Sequence, residues 1–375
     1  MAGTDVLTID GIGIERVVMP LKAPFETSFG VESERAFWLV TVEGGGLTGY
    51  AESVAGDEPY YNEETNETVR HMIRDHLGPR LIGQPITHPD QVLPLFSQVR
   101  GNRMAKAALE MAVWDLYGRV HNAPIRELLG GTRDRVPVGV SIGIQPTPAD
   151  LVVQATRFYA EGYRRLKIKI RPGLDLEPLR AVREALPDAP MMADANSSYA
   201  LEAASVFQEM DALDLLMVEQ PLAEDDLVDH AALQSLIKTP VCLDESIRTH
   251  EDAEKAFRIG ACRIINIKLG RVGGFSEARQ IHDAARRAGH PVWCGGMLES
   301  GIGRAANLHI TTLPGFTLPG DTSGSDRYWD EDLVDPPFVL GSDGTMAVPG
   351  GPGLGVVPDP RRLKRFGSAR EHFGK

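Results

Sequence analysis

Three observations in the 375-residue sequence predict a mixed α/β fold. Lys169, Asp194, Glu219, Asp244 and Lys268 follow one another at intervals of 25, 25, 25 and 24 residues, and each closes a short apolar run. Such an interval holds one strand, one crossover helix and two short loops. The first third of the chain lacks this rhythm, and the tail after Tyr328 is rich in Gly, Pro and Asp. Together they predict a modified (β/α)8 TIM-type barrel with an N-terminal α+β capping domain completed by the C-terminal tail. The expected boundaries are 1–131 for the cap, 132–328 for the barrel and 329–375 for a segment returning to the cap.

In chain order, strand-like segments run from Ile14 to Met19, Phe37 to Val42 and Gly49 to Ser53. Val69, Met72, Ile73 and Leu77 then fall at helical spacing, as do Leu109, Ala112, Val113, Leu116 and Val120. The Gly130-Gly131 pair is a helix stop and marks the boundary. The first barrel strand is expected over Val136 to Ile144, followed by a helix opening at Thr147-Pro148, where Thr caps and Pro suits the first turn. The apolar runs before the five ionisable residues supply five more strands. Val292 to Met297 and Phe316 to Pro319 bring the count to eight, the number that closes a barrel.

The formal charge of −13 and pI near 5.3 exclude an excess of basic groups for nucleic acid or an anionic membrane, and favour a small-molecule substrate. No run approaches the roughly 18 apolar residues of a membrane span. The N-terminus shows no secretory pattern, so a cytoplasmic protein is expected. Cys242, Cys262 and Cys294 read as buried packing residues. Gly11-Ile12-Gly13 lacks the third glycine of a dinucleotide fingerprint, and the ten histidines show no metal-ligand spacing.

The five periodic residues point to one chemistry. Asp194, Glu219 and Asp244, on three adjacent strands, would repel one another unless a hard divalent cation lay between them. Oxygen donors without thiolate or imidazole suit Mg²⁺, with Mn²⁺ or Co²⁺ as substitutes. Lys167 and Lys169 stand two apart in the strand Arg164 to Ile170 and share its face. Lys268 is expected to face Lys169 across the barrel mouth. A divalent cation between opposed lysines suits removal of a proton α to a carboxylate through an enediolate. A lysine base needs a lowered pKa, and Arg271 is a candidate cationic neighbour for Lys268.

These residues sit in strings that resemble the enolase superfamily, in its muconate-lactonising group: Lys167-Ile168-Lys169, Asp194-Ala195-Asn196, Val218-Glu219-Gln220-Pro221, Leu243-Asp244-Glu245-Ser246 and Asn266-Ile267-Lys268. Arg271-Val272-Gly273-Gly274, Trp293 through Arg304 and Leu318 through Ser323 are similar to the branch of o-succinylbenzoate synthases and N-succinyl (N-acyl) amino acid racemases. The resemblance extends to Pro24-Phe25, Phe29-Gly30 and Gly101-Asn102-Arg103-Met104, and so spans nearly the whole chain.

The resemblance implies that Asp194, Glu219 and Asp244 bind Mg²⁺, that Lys169 and Lys268 are the acid/base pair and that Lys167 helps near the substrate carboxylate. It further implies a specificity lid carrying Phe25, Phe29 and Tyr61. Ser141, Gly295, Gly296 and Met297 would receive the acyl arm. Asn196, Glu299 and Asp321 would also contact substrate, with Glu245 and Arg271 supporting from behind. Homo-oligomers are the family expectation. The same lysines serve N-acyl amino acid racemisation and the syn dehydration of the menaquinone-pathway o-succinylbenzoate synthase. Arg271 tilts the balance toward the racemase. A muconate-type cycloisomerase, a dipeptide epimerase and, from another class, an inactive metal-binding scaffold are the alternatives. Asp321-Thr322-Ser323 carries only one of the two acids that an epimerase places there.

Overall fold

The computed structural model describes residues 6–28 and 30–374. Its N-terminal part is an antiparallel sheet of β1 (Gly11–Glu26), β2 (Val31–Gly44) and β3 (Leu47–Glu52), in which β1 pairs with β2 on one side and with the C-terminal strand Gly367–Gly374 on the other. The tail therefore ends as a strand of the first sheet, with His372 opposite Gly13 and Phe373 opposite Ile12. Helix α1 (Asn66–His71) is closed at its start by a reciprocal Thr65–Thr68 capping box. It continues into a π-helical stretch, Met72–Leu77, in which the Gly78 N–H reaches Ile73 O. The wider turn buries Val69, Ile73 and Leu77 and leaves Met72 half-buried, so the expected helix is present with its stripe rotated.

Helix α2 (Arg103–Val120) lies on β2 and β3 and is buried on nearly every side. Contact is closest at Gly49, where a Cβ would come within 2.2 Å of Ala112 O; only a glycine permits this approach. The short helix Ile125–Leu129 then stops at Gly130, which takes the left-handed conformation with φ 81°.

The second part is a parallel sheet in sequential order: β4 (Val140–Ile142), β5 (Leu166–Lys169), β6 (Met191–Asp194), β7 (Val218–Glu219), β8 (Val241–Leu243), β9 (Ile264–Ile267) and β10 (Val292–Cys294). Helix α3 (Pro148–Glu161) follows β4 and is capped by Thr147, whose side chain accepts from the Asp150 N–H. Helices α4 (Phe275–Ala288) and α5 (Gly301–Ile310) flank β10.

Two expectations need correction. The eighth strand, Phe316 to Pro319, is not a regular strand: Phe316 makes a single parallel bridge to Val292, and Gly320 another to Val138. Pro319 has no N–H to give to a ladder. The barrel closes there through isolated bonds, Gly139 N–H to Gly320 O at 2.6 Å and Asp321 N–H to Cys294 O at 2.9 Å. The first strand is also split, because Arg135–Pro137 pairs antiparallel with Thr345–Ala347 and only Val140–Ile142 joins the barrel sheet.

A small apolar cluster of Met192, Met217, Cys242, Ile264 and Trp293 stands apart from the main core. The three cysteines are buried and free. Among the described residues, no helix is long and apolar enough to cross a membrane.

Candidate active site

Alternation along one strand supplies the first half of the site. Arg165, Lys167 and Lys169 occupy every second position and share a face. Lys169 pairs in register with Asp194, and Asp194 with Glu219. Lys167 Nζ lies 2.8 Å from both Asp194 Oδ2 and Glu219 Oε2, and 3.2 Å from Asp321 Oδ2. Lys169 Nζ lies 2.7 Å from Asp194 Oδ2. Arg165, fully buried, ion-pairs with Asp321 and lies 4.2 Å from the Trp293 ring centroid.

The second half comes from the far side of the sheet. Lys268 Nζ lies 2.8 Å from Asp244 Oδ2, and Arg271 clasps Asp244 Oδ1. The Tyr61 hydroxyl, from the cap, donates to Asp244 Oδ1 at 3.1 Å and accepts from Lys268 and Arg271 at 3.3 Å. Asn196 joins the halves: its side-chain carbonyl accepts from Lys169, and its amide donates to Glu245 Oε1 at 2.8 Å.

Neighbouring amides hold these groups in place. Asn266 Nδ2 donates to Glu219 Oε1 at 2.7 Å. Gln220 accepts the Asp244 N–H at 3.0 Å and donates to Ser246 Oγ at 2.8 Å, tying one strand end to the next. Asn196, Ser197, Gln220 and Leu298 all have positive φ without being glycine. Each such conformation costs on the order of 1–3 kcal/mol, and its clustering here marks a site built at the expense of local stability.

The electrostatics separate the lysines. Burial works to lower the Lys167 pKa, but Asp194, Asp321 and Glu219 outweigh it and hold the ammonium well above its ordinary range. For Lys169 burial wins over the attraction of Asp194, helped by repulsion from Lys167, and the pKa falls. Lys268 is also pushed down by burial, yet Tyr61 and the acids Glu245 and Glu219 carry it upward, against the lowering expected beside Arg271, whose guanidinium is taken up by Asp244. Glu219 is raised, by burial first and then by the Asp194 charge. Asp194 resists burial and is held low by Lys167 and Lys169.

Among the described residues, no three acidic, histidine or cysteine side chains already stand close enough together to hold a metal. Lysines and Arg271 lie between the acids instead. Glu245 Oε2 is buried without a hydrogen-bond partner, and Glu219 Oε2 and Asp244 Oδ2, equally buried, meet only the ammonium groups of Lys167 and Lys268 at 2.8 Å. Hard anionic oxygens left in this way fit a Mg²⁺ ion on Asp194, Glu219 and Asp244.

Above the acids opens a cavity of ≈ 340 Å³, lined by Lys167, Lys169 and Lys268 at its base. Of the residues expected to touch substrate, Phe25, Tyr61, Ser141, Asn196, Gly296, Met297, Glu299 and Asp321 line it. Gly295 does not: a Cβ there would meet Asn266 at 2.5 Å and Lys268 Cε at 2.7 Å, so this glycine clears space for the lysine stem. Glu245 and Arg271 lie outside the wall, bordering a smaller cavity of ≈ 60 Å³ behind Tyr61. Phe29 lies outside the described residues. The tip of β1 reaches the barrel where the Ile144 N–H donates to Glu26 O at 3.0 Å, which brings Phe25 over the opening.

Three contributors escaped the sequence reading. Arg165 was in phase with Lys167 and Lys169, and that phase could have revealed it. Trp293, 5.1 Å from Lys167, gave no such signal. Arg304, buried in the cavity wall, lies on a helix whose period says nothing about a pocket.

Comparison with known proteins agrees with this geometry. Residues 11–130 match the family described as mandelate racemase / muconate lactonizing enzyme, N-terminal domain, and residues 150–362 match the enolase C-terminal domain-like family. The chain belongs to the enolase superfamily and is an enzyme of that kind. It is 52% identical over 361 residues to an o-succinylbenzoate synthase of Geobacillus kaustophilus, covering 96% of each chain. It is 47% identical over 350 residues to an N-succinylamino acid racemase of Thermus thermophilus, covering 93% of this chain and 95% of the other. A solved enolase-superfamily structure from Listeria innocua superposes with TM-score 0.95 at 40% identity, over 98% of this chain and 99% of that one.

Proposed function

We propose that this enzyme exchanges the proton α to the carboxylate of an N-acyl amino acid, with N-succinyl amino acids as substrates and racemisation as the outcome. The observation that carries the reading is the placement of Lys169 and Lys268 in one cavity, from non-adjacent strands, each paired with a different acid. Two bases on separate sides of a planar enediolate return the proton to either face. Mg²⁺ held by Asp194, Glu219 and Asp244 would stabilise the extra negative charge of the enediolate. Lys169, with its lowered pKa, takes the proton from one enantiomer at Nζ, while Lys268, held protonated by its raised pKa, delivers a proton to the opposite face; the roles reverse for the other enantiomer. Lys167 stays protonated and faces the substrate carboxylate. Tyr61 and Arg271 orient Lys268 and Asp244, while the cap closes over the opening and excludes water.

A second reading, the syn dehydration that forms o-succinylbenzoate, is favoured by the 52% identity to a relative of that name. It would need Lys169 for both proton removal and hydroxide departure, with Lys268 only stabilising charge. The discriminating experiment follows an N-succinyl-L-amino acid in D₂O with Mg²⁺ by NMR and optical rotation. Exchange with loss of rotation supports the racemase. Exchange with retained rotation leaves one lysine silent, and no exchange overturns the racemase reading in favour of the dehydratase.

A further inference from the structure

The string Gly101-Asn102-Arg103-Met104 has no part in the chemistry above, yet it opens α2 where the cap meets the turn after Lys268. Asn102 takes the left-handed conformation, φ 51°, and its side-chain amide turns back to Arg100 O instead of capping the helix. The free N–H groups of the first turn are met from another segment. Glu64 Oε1 accepts from Met104 at 2.8 Å, and Glu64 Oε2 accepts from Ala105 at 3.1 Å. A buried carboxylate thus supplies the cap that the local sequence omits.

Glu64 also lies near the end of the loop that carries Tyr61. The neck of that loop is closed by the Asn66 N–H to Gly56 O at 2.7 Å, and the Glu64 N–H is held by Asn62 Oδ1 at 3.0 Å. Among the described residues 58–63, the Tyr61 hydroxyl is the one group hydrogen-bonded outside the loop. Its neighbour Tyr60 is 63% exposed. A loop with so few ties of its own aims a side chain only through its nearest anchor, and for Tyr61 that anchor is Glu64.

Arg103 works from the other side of the same helix start. Its Nη1 donates at 3.2 Å to Val272 O, the end of the short helix Leu269–Val272 that carries Arg271 and follows Lys268. The cap reaches this turn at a second point, because a Cβ on Gly270 would come within 2.1 Å of Val54 Cγ2 and only a glycine leaves that room. The start of α2 is therefore tied through Glu64 to the loop of Tyr61, and through Arg103 to the turn of Arg271.

We infer that Glu64 and Arg103 are positioning residues for the base Lys268, forming a brace that sets the Tyr61 hydroxyl against Lys268, Arg271 and Asp244. The inference rests on the reading of Lys268 as one of two bases and deepens it. The brace reaches one base only, since Lys169 makes no contact with Tyr61 among the described residues.

The test measures α-proton exchange in D₂O separately from N-succinyl-L-phenylalanine and its D-enantiomer, using the full-length Mg²⁺-loaded enzyme. The enantiomer served by Lys268 is the one that Lys268→Ala no longer exchanges. Glu64→Ala should slow that enantiomer by about tenfold, no more than Tyr61→Phe does, and the other by less than about twofold. Glu64→Gln, whose amide oxygen can accept one of the two N–H groups, should restore part of the loss. Placed on Tyr61→Phe, Glu64→Ala should add little, because both act through one hydroxyl. Arg103→Met should act in the same sense to a smaller extent, and it stands as the test if Glu64→Ala does not fold. Equal loss from both enantiomers overturns the brace, as does full additivity with Tyr61→Phe or an unchanged rate. The second readout needs no turnover: in protein labelled with 3-fluorotyrosine, the fluorine resonance missing from Tyr61→Phe should shift or broaden in Glu64→Ala. If the wild type exchanges neither enantiomer, the two-base reading falls. A displaced Tyr61 resonance would then still support the brace, and an unmoved one would overturn it as well.

Discussion

The two ends of the cavity are built in opposite ways. At the reaction end every lysine faces a carboxylate on a neighbouring strand, and side-chain amides fix the acids. At the far wall, among the described residues, Arg304 and Arg327 donate to backbone oxygens and lie over aromatic rings. An end in which cations and acids alternate can hold its shape without ligand and tune proton affinities, whereas a wall tied together through backbone carbonyls and rings leaves its shape to the segments that converge there. The first suits chemistry common to many substrates, and the second suits choosing among them.

Removing the metal should expose this contrast most strongly. Chelation by EDTA is expected to abolish turnover, and added Mg²⁺ to restore it, with a rise in Tm on adding Mg²⁺ to the stripped protein. A Tm that ignores Mg²⁺, together with activity surviving chelation, would break the assignment of Asp194, Glu219 and Asp244. Next in size are the lysines. Lys169→Ala and Lys268→Ala should each lower racemisation on the order of 10³-fold. Each should also retain α-proton exchange from only one enantiomer, opposite for the two variants. Loss of exchange from both enantiomers in both variants would sink the two-base division.

Tyr61→Phe should have a smaller effect, because it removes a hydroxyl shared by Asp244, Lys268 and Arg271 and leaves the ring that lies 4.5 Å from the Lys268 ammonium. A fall of about tenfold in kcat/KM is expected, the size of one hydrogen bond to a charged group. An unchanged rate would make Tyr61 simply part of the cavity wall.

The same contrast explains what the sequence could reveal. Strand alternation and the 25-residue repeat are periodic, so Lys167, Lys169, Asp194, Glu219, Asp244 and Lys268 could be aligned before any fold was known. The far wall draws on β4 for Ser141, α5 for Arg304, a turn for Arg327 and the tip of β1 for Phe25. No period links those segments, and only the closed barrel brings them together. The missing eighth strand has a similar cause. Its apolar run was legible, but Pro319 and the neighbouring glycines replace a ladder with single bridges. The split of the first strand turned on Arg135–Pro137 finding a partner some 200 residues away, at Thr345–Ala347, which local pattern cannot announce.

The smallest predicted effect concerns how the far wall is anchored. Glu52, at the end of β3 in the cap, accepts the Ser300 N–H at 3.0 Å and the Gly303 N–H at 3.1 Å, and it also takes the Ser300 hydroxyl. It thereby holds the start of α5, from which Arg304 projects. Burial raises its carboxyl from 4.5 to about 7, against the pull of the Ser300 hydroxyl. The fold thus prefers Glu52 protonated: its contribution is complete below about 4.5 and is lost as the pH rises through about 7. The full loss is on the order of 3 kcal/mol. Glu110, on α2, behaves alike at the start of α4, where it accepts the Phe275 and Ser276 N–H groups and is also raised to about 7. Glu52→Gln should therefore flatten, without abolishing, the decline of Tm between pH 5 and 8, and adding Glu110→Gln should flatten it further. A decline as steep in the double variant as in the wild type would mean that both carboxylates stay ionised in the fold, with the helix N-termini compensating fully for their burial.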